Sequence, residues 1–118
     1  MQVSGLHYTI DLSKEAQELK QNSDGSVTIV KEGKRVIKVN IVQEDGTLLP
    51  LEDAKNYKVL SNAYLVNHSG DGYFWFSKYG TGQKNTYTTF YTIMSGYLEN
   101  HKVMDPKPID GRLKIIGR

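Results

Sequence analysis

The sequence predicts an α+β domain: a mixed or antiparallel β-sheet with one main amphipathic helix late in the chain. Three observations predict it. The first half holds short runs of alternating apolar residues punctuated by Asn, Asp and Gly, which is the pattern of strands joined by tight turns. Further on, Phe90, Ile93, Met94, Tyr97, Leu98 and His101 recur at helical spacing and fall on one face. At 118 residues the chain suits one domain with one core and is too short for two, so residues 1–118 are expected to form a single domain.

Residues 3–11 alternate loosely around Leu6, Tyr8 and Ile10 and predict a half-buried strand. Residues 12–20 read as a short surface helix with Ser13 as N-cap, held only by Ala16 and Leu19. Asn22-Ser23-Asp24-Gly25 is a turn by composition, and residues 26–30 form a short strand before a second turn at residues 32–34. Residues 35–43 give the clearest strand, with Ile37, Val39 and Ile41 on one face and Lys38 and Asn40 on the other. Asp45-Gly46 supplies a hairpin turn, and residues 47–49 return before Pro50.

Residues 51–55 make a turn or one helical loop carrying Glu52 and Asp53, and residues 57–61 are strand-like with Val59 as their core residue. Gly80, Gly82 and Asn85 make residues 79–87 a flexible loop. Thr88 or Thr89 caps the late helix. Gly96 within that helix costs about 1 kcal/mol relative to alanine, which predicts close packing there. After Asp105-Pro106 and Pro108, a turn at Asp110-Gly111 leads into a last strand at residues 113–116.

The formal net charge is +2, with 15 basic residues interleaved among 13 acidic ones, so no strong field attracts a nucleic acid polymer or an anionic membrane. Lys102, Lys107, Arg112, Lys114 and Arg118 read as a solvated surface. The absence of cysteine excludes a disulfide framework and a thiolate metal site. No window approaches the roughly 18 apolar residues of a membrane span, and residues 1–8 lack the layout of a signal peptide. A strand begins directly after Met1 with no polar lead-in, so the chain is expected to be a piece of a longer protein.

Gly70-Asp71-Gly72 has the shape of a binding turn. A glycine on each side lets the backbone take positive φ and aim Asp71 at a partner. Tyr64 lies ahead of this turn and outside the strand pattern. An aromatic face beside a carboxylate can stack on a base or sugar while the carboxylate accepts bonds from vicinal hydroxyls. Stacking is worth roughly 1 to 3 kcal/mol and a bond to a charged acceptor about 1.5 to 3 kcal/mol. Such a pair positions a nucleoside but does not hydrolyse one.

Other chemistry is weakly supported. Tyr73, Phe74, Trp75 and Phe76 read as alternating between the core and a neighbouring element. His68, Ser69 and Asp71 are the residue types of a hydrolase triad, but they crowd one turn instead of converging from separate elements, and no Gly-x-Ser-x-Gly elbow is present. His7, His68 and His101 are scattered and match no metal-ligand spacing.

Five segments, Gln2-Val3-Ser4-Gly5-Leu6, Tyr57-Lys58-Val59, Asn62-Ala63-Tyr64-Leu65, Gly70-Asp71-Gly72-Tyr73 and Gly111-Arg112-Leu113, occur in an order that resembles the C-terminal domain of the 5'-nucleotidases. The related 2',3'-cyclic phosphodiesterase/3'-nucleotidases share this domain. In that family it binds the base and ribose of a nucleotide, while a separate N-terminal domain holds two metal ions and hydrolyses the phosphate ester. The resemblance places Tyr64 on one of two aromatics that sandwich the base and Asp71 on the carboxylate that binds the ribose hydroxyls, and Asn62, Gly70 and Gly72 are expected to be substrate-binding with them. Ser69 stands where the motif has its first glycine, and one extra residue separates Tyr64 from Asp71. Tyrosine at position 64 also occurs in the cyclic phosphodiesterase branch.

By the same resemblance, the second stacking aromatic and the phosphate-binding arginines would precede Met1. The chain is then expected to bind a nucleotide or nucleoside weakly, to need no cofactor of its own and not to catalyse alone. Its partner would be a metallophosphoesterase domain carrying divalent metal ions, in an exported protein that is extracellular, cell-wall-associated or periplasmic. An open sheet edge would allow pairing with a second copy. An alternative of another class is a non-catalytic surface module that binds glycan or protein through Tyr64 and the aromatics of residues 73–76.

Overall fold

The computed structural model describes residues 3–104 and 108–118. Its strands are β1 (Leu6–Asp11), β2 (Glu18–Gln21), β3 (Val27–Lys31), β4 (Val36–Val42), β5 (Leu48–Pro50) and β6 (Leu113–Ile116). The helices are α1 (Ala63–His68), α2 (Trp75–Tyr79) and α3 (Phe90–Asn100), with one 3-10 turn at Gly70–Gly72. Four strands form a mixed sheet in the order β5-β4-β1-β6. β1 lies antiparallel to β4 and parallel to β6, and β4 is antiparallel to β5. The fold is α+β, as the sequence predicts.

Local turn chemistry sets much of this register. Between β4 and β5 the Gln43 N–H donates to the Thr47 carbonyl at 2.8 Å, and the Asp45 carboxylate accepts from the Thr47 N–H at 2.9 Å. Gly46 sits at φ 83°, a conformation that glycine adopts without strain. Alternation then places Tyr8 between Val39 on one side and Leu113 on the other.

The predicted helix over residues 12–20 does not form. Ser13 donates both its hydroxyl, at 2.6 Å, and its N–H, at 3.0 Å, to Asp11 Oδ1, so its side chain closes a turn instead of capping a helix. Glu18–Gln21 then pairs with β3 as a hairpin. Backbone bonds from Asp11 to Arg35 (2.8 Å) and from Lys34 to Glu15 (2.9 Å) join the two ladders. The path from β1 to β4 is therefore one long two-stranded ribbon, with irregularities at Thr9/Ile10 and Glu18/Leu19.

Residues 57–61 are not a strand either, and Val59 is 60% exposed instead of lying in a core. Strand propensity needs a ladder partner, and among the described residues none lies beside this segment. α3 starts as expected, with the Thr89 hydroxyl oxygen accepting from the Thr92 N–H at 3.1 Å. The close packing expected at Gly96 is absent, since a Cβ there would meet nothing within 4 Å.

The described late basic residues are exposed, as the sequence predicts, and one of them also makes an ion pair. Arg112 binds the Asp110 carboxylate through its guanidinium and donates from Nη1 to the Val3 carbonyl at 3.2 Å. This ties the approach to β6 back to the segment before β1. Lys102, Arg112, Lys114 and Arg118 are all exposed. Gln2, Asp105, Pro106 and Lys107 lie outside the described residues.

Packing is loose. Among the described residues no hydrophobic side chain is fully buried, so the expected single core does not form. The radius of gyration is 17.0 Å, against about 13 to 14 Å for a compact domain of this length. The cause is architectural: α1 packs on α2 and on the 3-10 turn, and the apolar face of α3 (Ile93, Met94, Tyr97, Leu98) stays about half exposed.

Candidate functional site

The site is built where α1 turns back on itself. Asn62, in extended conformation at φ −81° and ψ 159°, caps α1 by accepting from the Leu65 N–H at 2.9 Å. After six helical residues the helix stops at Ser69, which takes the left-handed conformation (φ 52°, ψ 32°) and donates its N–H to the Tyr64 carbonyl. Glycine is the usual residue at such a helix end, because a Cβ is strained there. Ser69 fills the very position where it replaces the first glycine of the motif.

The chain then makes the 3-10 turn. Asp71 is also left-handed, at φ 53° and ψ 24°, and Gly72 follows at φ 79°. Gly70 serves another purpose: it is buried beneath the Tyr64 ring, and a Cβ at this position would clash with that ring. With the ring laid over Gly70, the Tyr64 hydroxyl reaches the turn and donates to Asp71 Oδ1 at 3.1 Å. Tyr64 remains 54% exposed, so one ring face rests on the turn and the other faces solvent.

Two further contacts hold the turn, and sequence reasoning missed both. The Gly72 Cα lies against the β2–β3 hairpin, where an added Cβ would be 3.1 Å from Leu19 Cδ1 and 3.8 Å from Val27 Cγ1. The hairpin is thus the shelf on which the turn sits. On the other side the Ser69 and Ser77 hydroxyls stand 3.1 Å apart, and Ser77 donates to the Phe74 carbonyl at 3.0 Å. The sequence marks Leu19 only as an apolar position of a surface helix and does not mark Ser77, because both roles depend on partners distant along the chain or on a helix not foreseen.

The aromatics after the turn are helical, not alternating along a strand. Trp75 and Phe76 open α2, the rings of Phe74 and Trp75 stack at 4.1 Å, and those of Tyr73 and Phe76 lie parallel at 6.3 Å. These four side chains are half-buried and cover one another. Of the predicted site residues, Tyr64, Gly70 and Asp71 therefore converge. Gly72 seats the turn on the hairpin, and the Asn62 oxygen is engaged in capping.

Hydrogen-bond partners separate the structural acids from Asp71. Asp11 and Asp24 are held below the usual carboxylate range by the hydroxyls of Ser13 and Ser26, and Asp45 by the Thr47 backbone N–H. Asp110 falls to about 2 through its bonds to Arg112. Each of these acids closes a turn two residues long. Asp71 has no such partner within its own turn and meets Tyr64 instead.

The triad types remain apart in function, with Ser69 on Ser77 and Asp71 on Tyr64. His101 stacks on Tyr97 at 4.2 Å, away from the other histidines in sequence. Among the described residues no group of three or more His, Asp or Glu converges to hold a metal ion. Two surface depressions, one along the β4–β5 hairpin and one between β1 and Lys38, are lined by neither Tyr64 nor Asp71. No helix among the described residues is long and apolar enough to cross a membrane.

A family model described as the 5'-nucleotidase, C-terminal domain, matches residues 1–78. That span contains β1 to β5, α1, the turn at Asp71 and most of α2, and it leaves out α3 and the Gly111-Arg112-Leu113 segment. No curated protein and no solved structure matches the chain. With two thirds of its residues matched and its sheet and helices consistent with that domain, the chain belongs to the 5'-nucleotidase C-terminal domain family.

Proposed function

We propose that the chain is the base- and ribose-recognising part of an exported, metal-dependent nucleotidase or nucleotide phosphodiesterase. Tyr64 offers its solvent face to the base, and Asp71 accepts bonds from the ribose hydroxyls. The observation that carries this reading is the 3.1 Å contact between the Tyr64 hydroxyl and Asp71, which sets an aromatic face and a carboxylate at one place. Gly70 and Gly72 act through the backbone, one by admitting the ring and the other by seating the turn, and Asn62 fixes the start of α1. Hydrolysis would fall to a metallophosphoesterase domain carrying divalent ions, with the whole protein outside the cytoplasm or in the periplasm.

The alternative of a glycan- or protein-binding module resting on residues 73–76 has less support, because those aromatic faces are spent on one another. NMR titration of the 118-residue chain with AMP tests the preferred reading. Shifts centred on residues 62–72, weakened by Tyr64→Ala and by Asp71→Ala, are the expected result. Equal affinity in all three proteins would sink it.

A further inference from the structure

Four Asp-Gly pairs lie in exposed turns of this chain, at Asp24-Gly25, Asp45-Gly46, Asp71-Gly72 and Asp110-Gly111. The first three turns are closed alike, with the glycine N–H donating to the carbonyl three residues back: Gly25 to Asn22 at 3.0 Å, Gly46 to Gln43 at 2.9 Å and Gly72 to Ser69 at 3.1 Å. The carboxylates differ. Asp24, Asp45 and Asp110 each accept from the N–H of the residue two places on, Ser26 at 2.9 Å, Thr47 at 2.9 Å and Arg112 at 3.1 Å. At Asp71 the matching N–H, that of Tyr73, donates instead to the Gly70 carbonyl at 3.0 Å. Among the described residues the Asp71 carboxylate keeps one bond, from the Tyr64 hydroxyl at 3.1 Å. Asp71 is also the one aspartate of the four in the left-handed conformation, at φ 53°.

An aspartate followed by glycine can close a five-membered ring, because glycine has no Cβ to obstruct the approach. The glycine nitrogen attacks Cγ, a C–N bond forms, and the carboxyl OH leaves with the amide hydrogen as water. Water then opens this succinimide at the former backbone carbonyl, so the chain runs on through the side chain and a new α-carboxylate is released. The neutral carboxyl is the reactive form, and it must swing back onto the nitrogen that follows it. Bonds to the N–H two places on hold Asp24, Asp45 and Asp110 against that swing. The Ser26 hydroxyl, the Thr47 N–H and the Arg112 guanidinium also keep these three carboxyls below the usual range, and so ionised. At Asp71 no such bond resists, and leaving the turn relieves the left-handed strain. We infer that Asp71-Gly72 is a site of spontaneous modification, the pair of this chain that isomerises to isoaspartate first. The product carries an extra methylene in its backbone and no longer has the carboxylate that Tyr64 contacts. The reaction needs no nucleoside, so it holds or fails apart from the reading of Tyr64 and Asp71 as a nucleoside site.

Incubating the 118-residue chain in mildly acidic heavy-oxygen water leaves one heavy oxygen at each ring opening, and peptide mapping by mass spectrometry reads the label at all four pairs. In the folded chain, label and isoaspartate are expected at Asp71 about three- to tenfold faster than at Asp24, Asp45 or Asp110, the factor that one hydrogen bond to the carboxylate is worth. In urea, with the turns gone, the four rates should converge. Another of the four aspartates reacting as fast as Asp71 in the folded chain overturns the inference. So does an Asp71 lead that persists undiminished in urea, which would trace it to the flanking residues and not to the fold.

Discussion

Gly70→Ala isolates the contact on which the site depends. The added methyl would clash with the Tyr64 ring, and ring atoms at the end of a side chain yield more easily than backbone, so the ring is expelled. The ring is 54% exposed, so a little under half of its surface is covered. Taking about 200 Å² for a buried tyrosine, that is about 90 Å², or at most about 2 kcal/mol at 25 cal/mol per Å². The exposed hydroxyl bond to Asp71 adds little to stability, because water competes for both partners. A gain of about 0.5 kcal/mol from the stiffer unfolded chain works the other way. The net expectation is a loss of about 1 to 1.5 kcal/mol in urea unfolding, with the nuclear Overhauser contacts between the Tyr64 ring and residue 70 abolished. Wild-type stability with those contacts intact would refute the placement of the ring on Gly70.

Ser69→Gly relieves a left-handed serine at φ 52° and should stabilise the chain by about 1 kcal/mol despite the loss of the Ser77 partner; an unchanged or lower urea midpoint would contradict the strain. The Asp110 carboxyl, lowered to about 2 by the Arg112 guanidinium, gives a pH prediction. A depressed folded-state value means that its stabilising contribution is complete above the unfolded value, about 3.9, and is lost as pH falls through about 2. Carboxyl carbon shifts should therefore show Asp110 titrating near 2, and a midpoint near 4 would mean that the pair with Arg112 does not persist in solution.

Features encoded within a few residues were legible in the sequence. Asp45-Gly46 specified its turn, the alternation of Ile37, Val39 and Ile41 specified a strand, and Thr89 specified a helix start. Failures came where a distant partner decides. Residues 12–20 and 57–61 each carry a plausible local pattern, yet the hairpin pairing of Leu19 with Ile29 decides the first, and the want of a ladder partner decides the second. The site divides in the same way. Its residue types and the turn at Asp71 were readable, whereas the ring on Gly70 and the support of Gly72 by Leu19 arise only once α1 folds back toward the ribbon. Ser69 was readable in principle, because a residue that replaces a motif glycine directly after a helix marks the left-handed position.

The loose packing makes the order of this site a local matter. Its geometry comes from a cap at Asn62, a left-handed stop at Ser69, a ring on Gly70 and a hairpin shelf under Gly72, not from a surrounding core. That origin limits what the proposed site can do alone. One open face supplies stacking of about 1 to 3 kcal/mol, and a charged acceptor adds about 1.5 to 3 kcal/mol. Association and ordering remove at least about 4 kcal/mol of this, so the net corresponds to an affinity of about tens of millimolar or weaker. The other Tyr64 face is sealed by Gly70 and cannot contribute. Tighter binding by the proposed site would require a second aromatic over the far side of the base.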